Sequence, residues 1–290
     1  MSSTLTFKKS IVGYLFITPQ LLMLILFHIY PIIEGIRVSM FRITHVGSDF
    51  VGFGNYIDLL SDPIFIRAVS NTLIYVFSVV TLTLVFGLFV ASAIFDKNAK
   101  YVSFIRGCYY LPFMVSMVVM AMVWNFLLNP ATGLFNYLLR TAGFPISNLL
   151  GNPSTVIPVI ILVTFTSNVG QTIVLFVAAM IGVPTELFEA AEIDGASRLA
   201  RLFYVLIPII RPTILFITVI NIIALLRMFV AVQLLTAGGP NNASVTMMFN
   251  LYQNAFLWNR PGLASAIGVL IFLLAILFSL PVFKILNVKD

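Results

Sequence analysis

Charge is what this sequence has least of. Only 9% of its 290 residues are charged, and 60% are apolar. An ordinary soluble domain is roughly 25% charged and 45–50% apolar. Sixteen basic and ten acidic side chains barely suffice to cover a water-soluble globule of this length. The shortage argues against a soluble enzyme. It also argues against a nucleic-acid partner, despite the net charge of +6. Cysteine is nearly absent. Cys108 stands alone, which excludes an intrachain disulfide and a cysteine metal cluster. Its apolar setting marks it as a small packing residue. His28 and His45 are too few and too far apart for a metal site. No phosphate-cradling G-x-x-x-x-G-K-[ST] element occurs, so this chain is not itself an ATPase of that kind.

What the chain does have is long apolar runs. A helix that crosses the hydrocarbon of a bilayer needs about 20 mostly apolar residues. Six stretches qualify: about 11–33, 68–95, 104–128, 155–183, 209–235 and 263–286. All are too long for barrel strands. The reading is an all-α membrane protein, one transmembrane domain over 1–290, embedded in a lipid bilayer. The first stretch follows Lys8 and Lys9, as a signal peptide would. It is too long for an h-region and no small-x-small site follows, so a retained helix is expected. Pro19, Pro112, Pro158 and Pro281 are expected to bend their helices.

Basic residues in the short loops set orientation. With the N-terminus in the cytoplasm, the inner segments hold Lys8, Lys9, Lys97, Lys100, Arg106, Arg198, Arg201, Arg211, Lys284 and Lys289. The outer segments hold Arg37, Arg42, Arg67, Arg140 and Arg260. Ten against five predicts that both termini are cytoplasmic.

The inner loop 184–208 is the most informative segment. Thr185 is a good N-cap, and Glu186 and Glu189 suit the positive end of a helix. Arg198 and Arg201 are expected late, at a negative end. Asp194-Gly195 is a turn signal, so two short helices should meet at Gly195. Ala190, Ala191, Gly195 and Ala196 form a surface with almost no side chain. An amphipathic helix lying on the membrane normally sets bulky apolar residues opposite basic ones. Alanine, glycine and acid favour docking against a protein partner instead.

The same residues carry a resemblance. Glu189-Ala190-Ala191, then Gly195, then Val205-Leu206-Ile207-Pro208, resembles the EAA loop of ATP-binding-cassette importer permeases. The spacing of that pattern is kept, with Val205 and Ile207 as conservative substitutions. Val51-Gly52, Asn55-Tyr56, Asp62-Pro63, Phe65 and Asn71-Thr72 resemble a stretch near the second span of carbohydrate permeases. Asn129-Pro130, Gly133 and Asn136 resemble an element after the third span, and Thr236, Gly238-Gly239-Pro240 and Thr246 the loop before the last. That last loop typifies the MalF-like or UgpA-like member of a permease pair. The resemblance implies a type I ABC importer permease fold of six transmembrane helices, in a bacterial or archaeal inner membrane. It implies a second, MalG-like permease, an ATPase dimer carrying ATP and Mg, an extracytoplasmic solute-binding protein and a sugar cargo. The chain itself would need no cofactor. In such a system Glu189 and Asp194 would anchor the dock to the ATPase. Ala190, Ala191 and Gly195 would permit close approach, and Pro208 would end the loop and start the fifth span. Two positions depart from the family: Val230 stands where an Asp often follows the Phe, and a common Trp is missing near Thr166. The resemblance therefore carries no substrate identity.

Polar groups inside spans need explanation. Ser167, Asn168, Gln171 and Thr172 fall in the fourth, and Asn221, Arg227 and Gln233 in the fifth. Arg227 either lines a translocation path, pairs across a subunit interface, bonds a carbonyl of a broken helix, or snorkels to the surface. Asn168, Gln171, Asn221 and Gln233 line the path or bond between helices. Trp124 with Asn125 suits a sugar, ring against apolar face and amide to hydroxyl; membrane-surface aromatics are the alternative. Gly238, Gly239 and Pro240 make a tight turn, or a contact for the binding protein. No acid falls within the six stretches and His28 is their only histidine, which speaks against a membrane enzyme and an ion-coupled transporter. An importer for glycerol phosphate remains the alternative to a sugar importer.

Overall fold

The computed structural model describes residues 14–44 and 47–287. Lys8, Lys9, His45, Lys289 and the start of the first expected span lie outside them. The chain is mostly helical. Helix α1 covers Tyr14–Ser39. A hairpin of β1 (Phe41–Thr44) and β2 (Gly47–Phe50) follows, paired antiparallel from Phe41↔Phe50 to Thr44↔Gly47. Then come α2 (Gly54–Ser61), α3 (Pro63–Ile94), α4 (Ala99–Met114), α5 (Met117–Leu127), α6 (Leu134–Thr141) and α7 (Val156–Ile181). They are followed by α8 (Thr185–Ile193), α9 (Arg198–Leu226), α10 (Val230–Leu235), α11 (Met247–Tyr252) and α12 (Pro261–Asn287).

Two compact units arise, one from Met1–Ser61 with Leu251–Leu270, the other from Asp62–Asn250 with Ile271–Asp290. In the first, α1 presents apolar side chains outward, with Phe16 and Phe27 exposed. The amide of Asn55 donates to the carbonyls of Ser39 (2.7 Å) and Phe41 (3.0 Å), and Ser39 Oγ bonds Tyr56 OH at 2.7 Å. The Asn55-Tyr56 pair thus clamps the end of α1 to the hairpin. A Cβ at Gly262 would overlap the Phe41 carbonyl oxygen, so only glycine lets α12 start there.

In the second unit, α7 runs through the middle of the core. Val90, Ala91 and Ile94 of α3 pack with Ile173, Phe176, Val177 and Met180 of α7 and with Ile210 and Ile217 of α9. Small residues bring the backbones together, as interfaces in lipid require. A Cβ on Gly87 would lie 2.8 Å from Thr172 Cγ2. Asp62 caps α3 by accepting from Ile64 N at 2.9 Å, with Pro63 in the first turn.

Among the described residues five helices are long and apolar enough to cross a membrane: α1, α3, α7, α9 and α12. The third expected span, about 104–128, is not continuous. α4 and α5 meet at 93°, at Val115 and Ser116. Val115 is extended (ψ 135°), and Ser116 Oγ accepts from Val118 N at 3.3 Å, so the second half has its own N-cap. The fifth expected span is also interrupted, because α9 stops at Leu226 and α10 restarts at Val230. Helix α1 continues past the expected end and carries Glu34 ion-paired with Arg37 at 2.6 Å. An acid therefore does sit in a long apolar helix. Pro158 falls in the first turn of α7, where no N–H is needed, and does not have to bend it. Cys108 is exposed on α4 rather than packed.

Two prolines share one local solution. Proline lacks the N–H to residue i−4, and its ring collides with that carbonyl. Pro31 and Pro208 are each preceded by a π-turn, Ile25–Ile29 and Leu202–Leu206. The i−4 residues, Phe27 and Tyr204, sit at the centres of those turns. Widening the turn relieves the clash without ending the helix. The helix of the fifth expected span, α9, therefore begins at Arg198, ten residues before the expected start at Pro208.

Candidate functional site

Both breaks open on one cavity of about 300 Å³. It is lined by Phe113, Val115 and Met117 from the first break. Thr164, Ser167 and Asn168 come from α7, and Ala224, Leu225 and 227–231 from around the second break. A broken helix leaves backbone groups without intrahelical partners. Here Thr246 Oγ1 donates to the Met228 carbonyl at 3.0 Å, and Thr164 Oγ1 reaches Met228 Sδ at 3.7 Å. Phe229 stacks on Phe249 with centroids 6.2 Å apart. The second break is thus held by side chains from distant segments.

The cavity gathers only some of the expected polar residues. Asn168 lines it, with one amide N–H donated to Thr164 O at 2.7 Å. That leaves a second N–H and an oxygen for a guest. Ser167 lines it too, bonded to Val163 O at 2.9 Å. Arg227 lines it and is exposed, just beyond the end of α9. Insertion scales charge about 2.5–3.5 kcal/mol for an arginine at the centre of a membrane helix. The other expected residues lie elsewhere. Gln171, Gln233 and Trp124 are half-buried outside the cavity. Asn221 donates to Ile217 O at 3.0 Å within its own helix. Asn125 donates to Leu234 O at 3.2 Å and ties α5 to α10. Ser116, Thr246 and Met228 also shape the cavity and lie outside the site residues expected from the sequence. Pro112 and the Ser116 cap signal the first break. The second has no glycine or proline to announce it.

The loop of Gly238, Gly239 and Pro240 is built into the fold. Gly238 has φ +82°, and a Cβ there would meet the Phe249 ring at 2.6 Å. Ser244 Oγ bonds Gly239 O at 2.7 Å. Asn71 donates to the carbonyls of Ala243 (2.8 Å) and Val245 (2.9 Å), and Thr72 Oγ1 accepts from Met247 N at 2.9 Å. Asn71→Ala leaves two carbonyls without donors, at about 1–3 kcal/mol for each that stays buried. A clear drop in the thermal unfolding midpoint is expected, and an unchanged midpoint would show that water replaces the amide. The element at Asn129 works likewise. Asn136 and Ser147 exchange two hydrogen bonds at 2.8 and 3.0 Å, and Asn129 Oδ1 caps Ala131 and Thr132.

In the 184–208 segment the expected turn falls at Gly195, but only the first helix, α8, is short; the second is the start of the long α9. Ala196 N bonds Ala191 O (2.9 Å) and Gly195 N bonds Glu192 O (3.0 Å), with Gly195 at φ +76°. That pair of bonds is the Schellman ending, which favours glycine at this position. Pro184, not Thr185, occupies the N-cap, and no side chain caps α8. Arg198 and Arg201 stand at the start of α9, the end that repels positive charge. Ion pairs offset this: Arg198 with Asp96 at 3.3 Å, and Arg201 with Glu192 at 2.7 Å. Glu189, Ala190, Asp194 and Gly195 are exposed, Ala191 is half-buried, and Ile193 is 87% exposed. A groove of about 600 Å³ runs behind the segment, with Phe188, Glu189 and Arg201 among its walls.

Residues 58–288 match the family described as "Binding-protein-dependent transport system inner membrane component". Over 278 residues the chain is 32% identical to a Bacillus subtilis protein named as a probable ABC transporter permease, YurN. That alignment covers 94% of this chain and 95% of that one. It is 32% identical to the sn-glycerol-3-phosphate transport system permease UgpA of Rhizobium meliloti, covering 96% and 94%. It is 30% identical to the arabinooligosaccharide permease AraP of B. subtilis, covering 95% and 88%. A chain of a bacterial alginate ABC transporter, solved with an alginate-bound periplasmic protein, superposes with a TM-score of 0.86. Identity there is 23%, and 97% and 96% of the chains are covered.

Proposed function

The chain belongs to the binding-protein-dependent transport system inner membrane components, and from that premise we propose that it is one permease of an ATP-driven sugar importer. The fold is that of type I ABC importer permeases. The observation that carries the reading is the cavity where two membrane helices break. A transporter needs polar groups at membrane depth, and irregular backbone is tolerated there only where it lines a cavity or is buried in protein. Ser167, Asn168 and Arg227 supply those groups. A second, MalG-like permease completes the path. An extracytoplasmic binding protein delivers the solute, and an ATPase pair, holding ATP and Mg, drives the cycle. Both termini are cytoplasmic, in a bacterial or archaeal inner membrane. The segment around Gly195 docks on the ATPase, with Glu189 and Asp194 as polar contacts. Because the helix is unbroken from Arg198 to Leu226, motion at the dock is carried to the cavity as motion of one rod. The cavity alternates sides only if solute and nucleotide bind the two states unequally.

Relatives that carry arabinooligosaccharides make a sugar the leading cargo. A glycerol phosphate cargo is the second reading, and Arg227 is the observation in its favour. Asn168→Trp tests the path in the complete importer reconstituted in vesicles. Uptake should fall to background while ATP hydrolysis stimulated by the loaded binding protein persists. Wild-type uptake would remove the cavity from the path.

A further inference from the structure

Resting on the reading that this cavity lies on the path, we propose that it is built for a solute bearing a carboxylate or phosphate, received by Arg227. The argument begins with missing counter-charge. Among the described residues Arg37, Arg42, Arg198 and Arg201 each face an acid (Glu34, Asp58, Asp96 and Glu192), Arg67 donates to the Asn241 carbonyl, and Arg106, Arg140, Arg211 and Arg260 show no ion pair but line no part of the cavity. Arg227 enters no ion pair or side-chain hydrogen bond among the described residues, and no Asp or Glu lines its cavity. A guanidinium does not escape by losing its proton. A permanent cation is therefore kept at a break in a membrane helix with none of the described residues placed to neutralise it.

The neighbours do not supply the missing charge. Ser167 and Asn168 donate to carbonyls of their own helix, and Thr164 is turned to Met228. They offer neutral oxygens and an amide, suited to hydroxyls rather than to a cation. The first turn of α5, an eleven-residue helix, opens on the same cavity through Met117 and adds positive potential. A guanidinium binds two oxygens of one group at once, which fits carboxylate and phosphate alike. About 300 Å³ is at the small end of ligand cavities and admits one monosaccharide-sized unit. The cargo class is thus an acidic sugar unit or a polyol phosphate. Hydroxyls would meet Ser167 and Asn168, and the anion Arg227.

The test uses the solubilised complete complex of both permeases and the ATPase pair, without the binding protein, so that its own selectivity is bypassed. Binding is read for matched pairs: galacturonate against galactose, and glycerol 3-phosphate against glycerol. At least one acid should bind at least about tenfold more tightly than its neutral partner. Arg227→Gln should erase that preference, and Arg227→Lys should keep part of it. Equal binding within both pairs overturns the proposal, as does a preference that survives Arg227→Gln. It also falls if Arg227→Gln releases the second permease, for then the cation belongs to an interface ion pair. It falls as well if no probe binds while Asn168→Trp still blocks uptake. If instead Asn168→Trp leaves uptake intact, the path reading has failed, and this proposal with it.

Discussion

Gly170→Leu is expected to leave no extractable, assembled protein. A Cβ at this position would fall on the carbonyl oxygen of Tyr109, with the carbonyl carbon at 2.7 Å and Tyr110 Cα at 3.0 Å. The obstacle is backbone, so no rotamer change removes it. α4 and α7 would have to separate along the face where Val102 of α4 and Val169 and Ile173 of α7 share one buried cluster. Overpacking against side chains already costs about 1–3 kcal/mol. Against backbone the cost should exceed that, and the total stability of a folded chain is only about 5–15 kcal/mol. Gly107 supplies the control. It lies on α4 as well, and a Cβ there meets nothing within 4 Å. Gly107→Ala should migrate on size exclusion as wild type and melt at the same temperature. A Gly170→Leu protein that did the same would show that the two helices tolerate a wider spacing. Gly170→Ala should damage the site too, because alanine carries the same Cβ. Phe113 and Val115, at the end of α4, line the cavity, so uptake should fall together with yield.

The places where sequence and structure part follow a physical pattern. Hydropathy located α3, α7 and α12 well, because lipid imposes one requirement along the whole length of a span. It read through the breaks at Val115 and Arg227, because the residues around them are as apolar as a helix interior. The first break is decided by a serine hydroxyl capping one amide, and the second by Thr246 reaching a carbonyl eighteen residues away in sequence. Neither interaction changes an average. Motif residues were legible as a family signature but not in their use. Asn55, Asn71, Asn136 and Gly238 hold backbone in place, and a polar residue that recurs at a fixed spacing can be a girder as readily as a ligand contact. The start of α9 is hidden in the sequence for a related reason. Pro208 looks like a beginning, yet a π-turn lets the helix run through it. Arg227 was legible because charge is so scarce that any cation inside a span stands out.

Gly195→Trp is expected to abolish uptake and sugar-stimulated ATP hydrolysis while leaving the chain folded. Two effects must be separated. At φ +76° any side chain with a Cβ strains the backbone, by roughly 1–2 kcal/mol. Volume is the second effect, and within this chain it is free, because a Cβ at Gly195 meets nothing within 4 Å. Gly195→Ala carries the strain with almost no volume. Gly195→Asn carries moderate volume with less strain, since asparagine tolerates this conformation. If strain alone matters, Ala and Trp should fall together and Asn should stand above both. If a partner closes on this face, activity should decline with size, from Ala through Asn to Trp, at similar melting temperatures. The second order is expected. Ile193, two residues away, is 87% exposed, and Leu187 on the same helix is exposed as well. Apolar side chains flanking a glycine and two alanines suit a protein surface that covers them more than they suit water. Co-purification of the ATPase with each variant then divides two modes of failure. If Trp retains the ATPase but loses stimulated hydrolysis, the loop transmits motion. If Trp loses the ATPase altogether, it is an anchor. If all three variants transport as wild type, the face is not a dock.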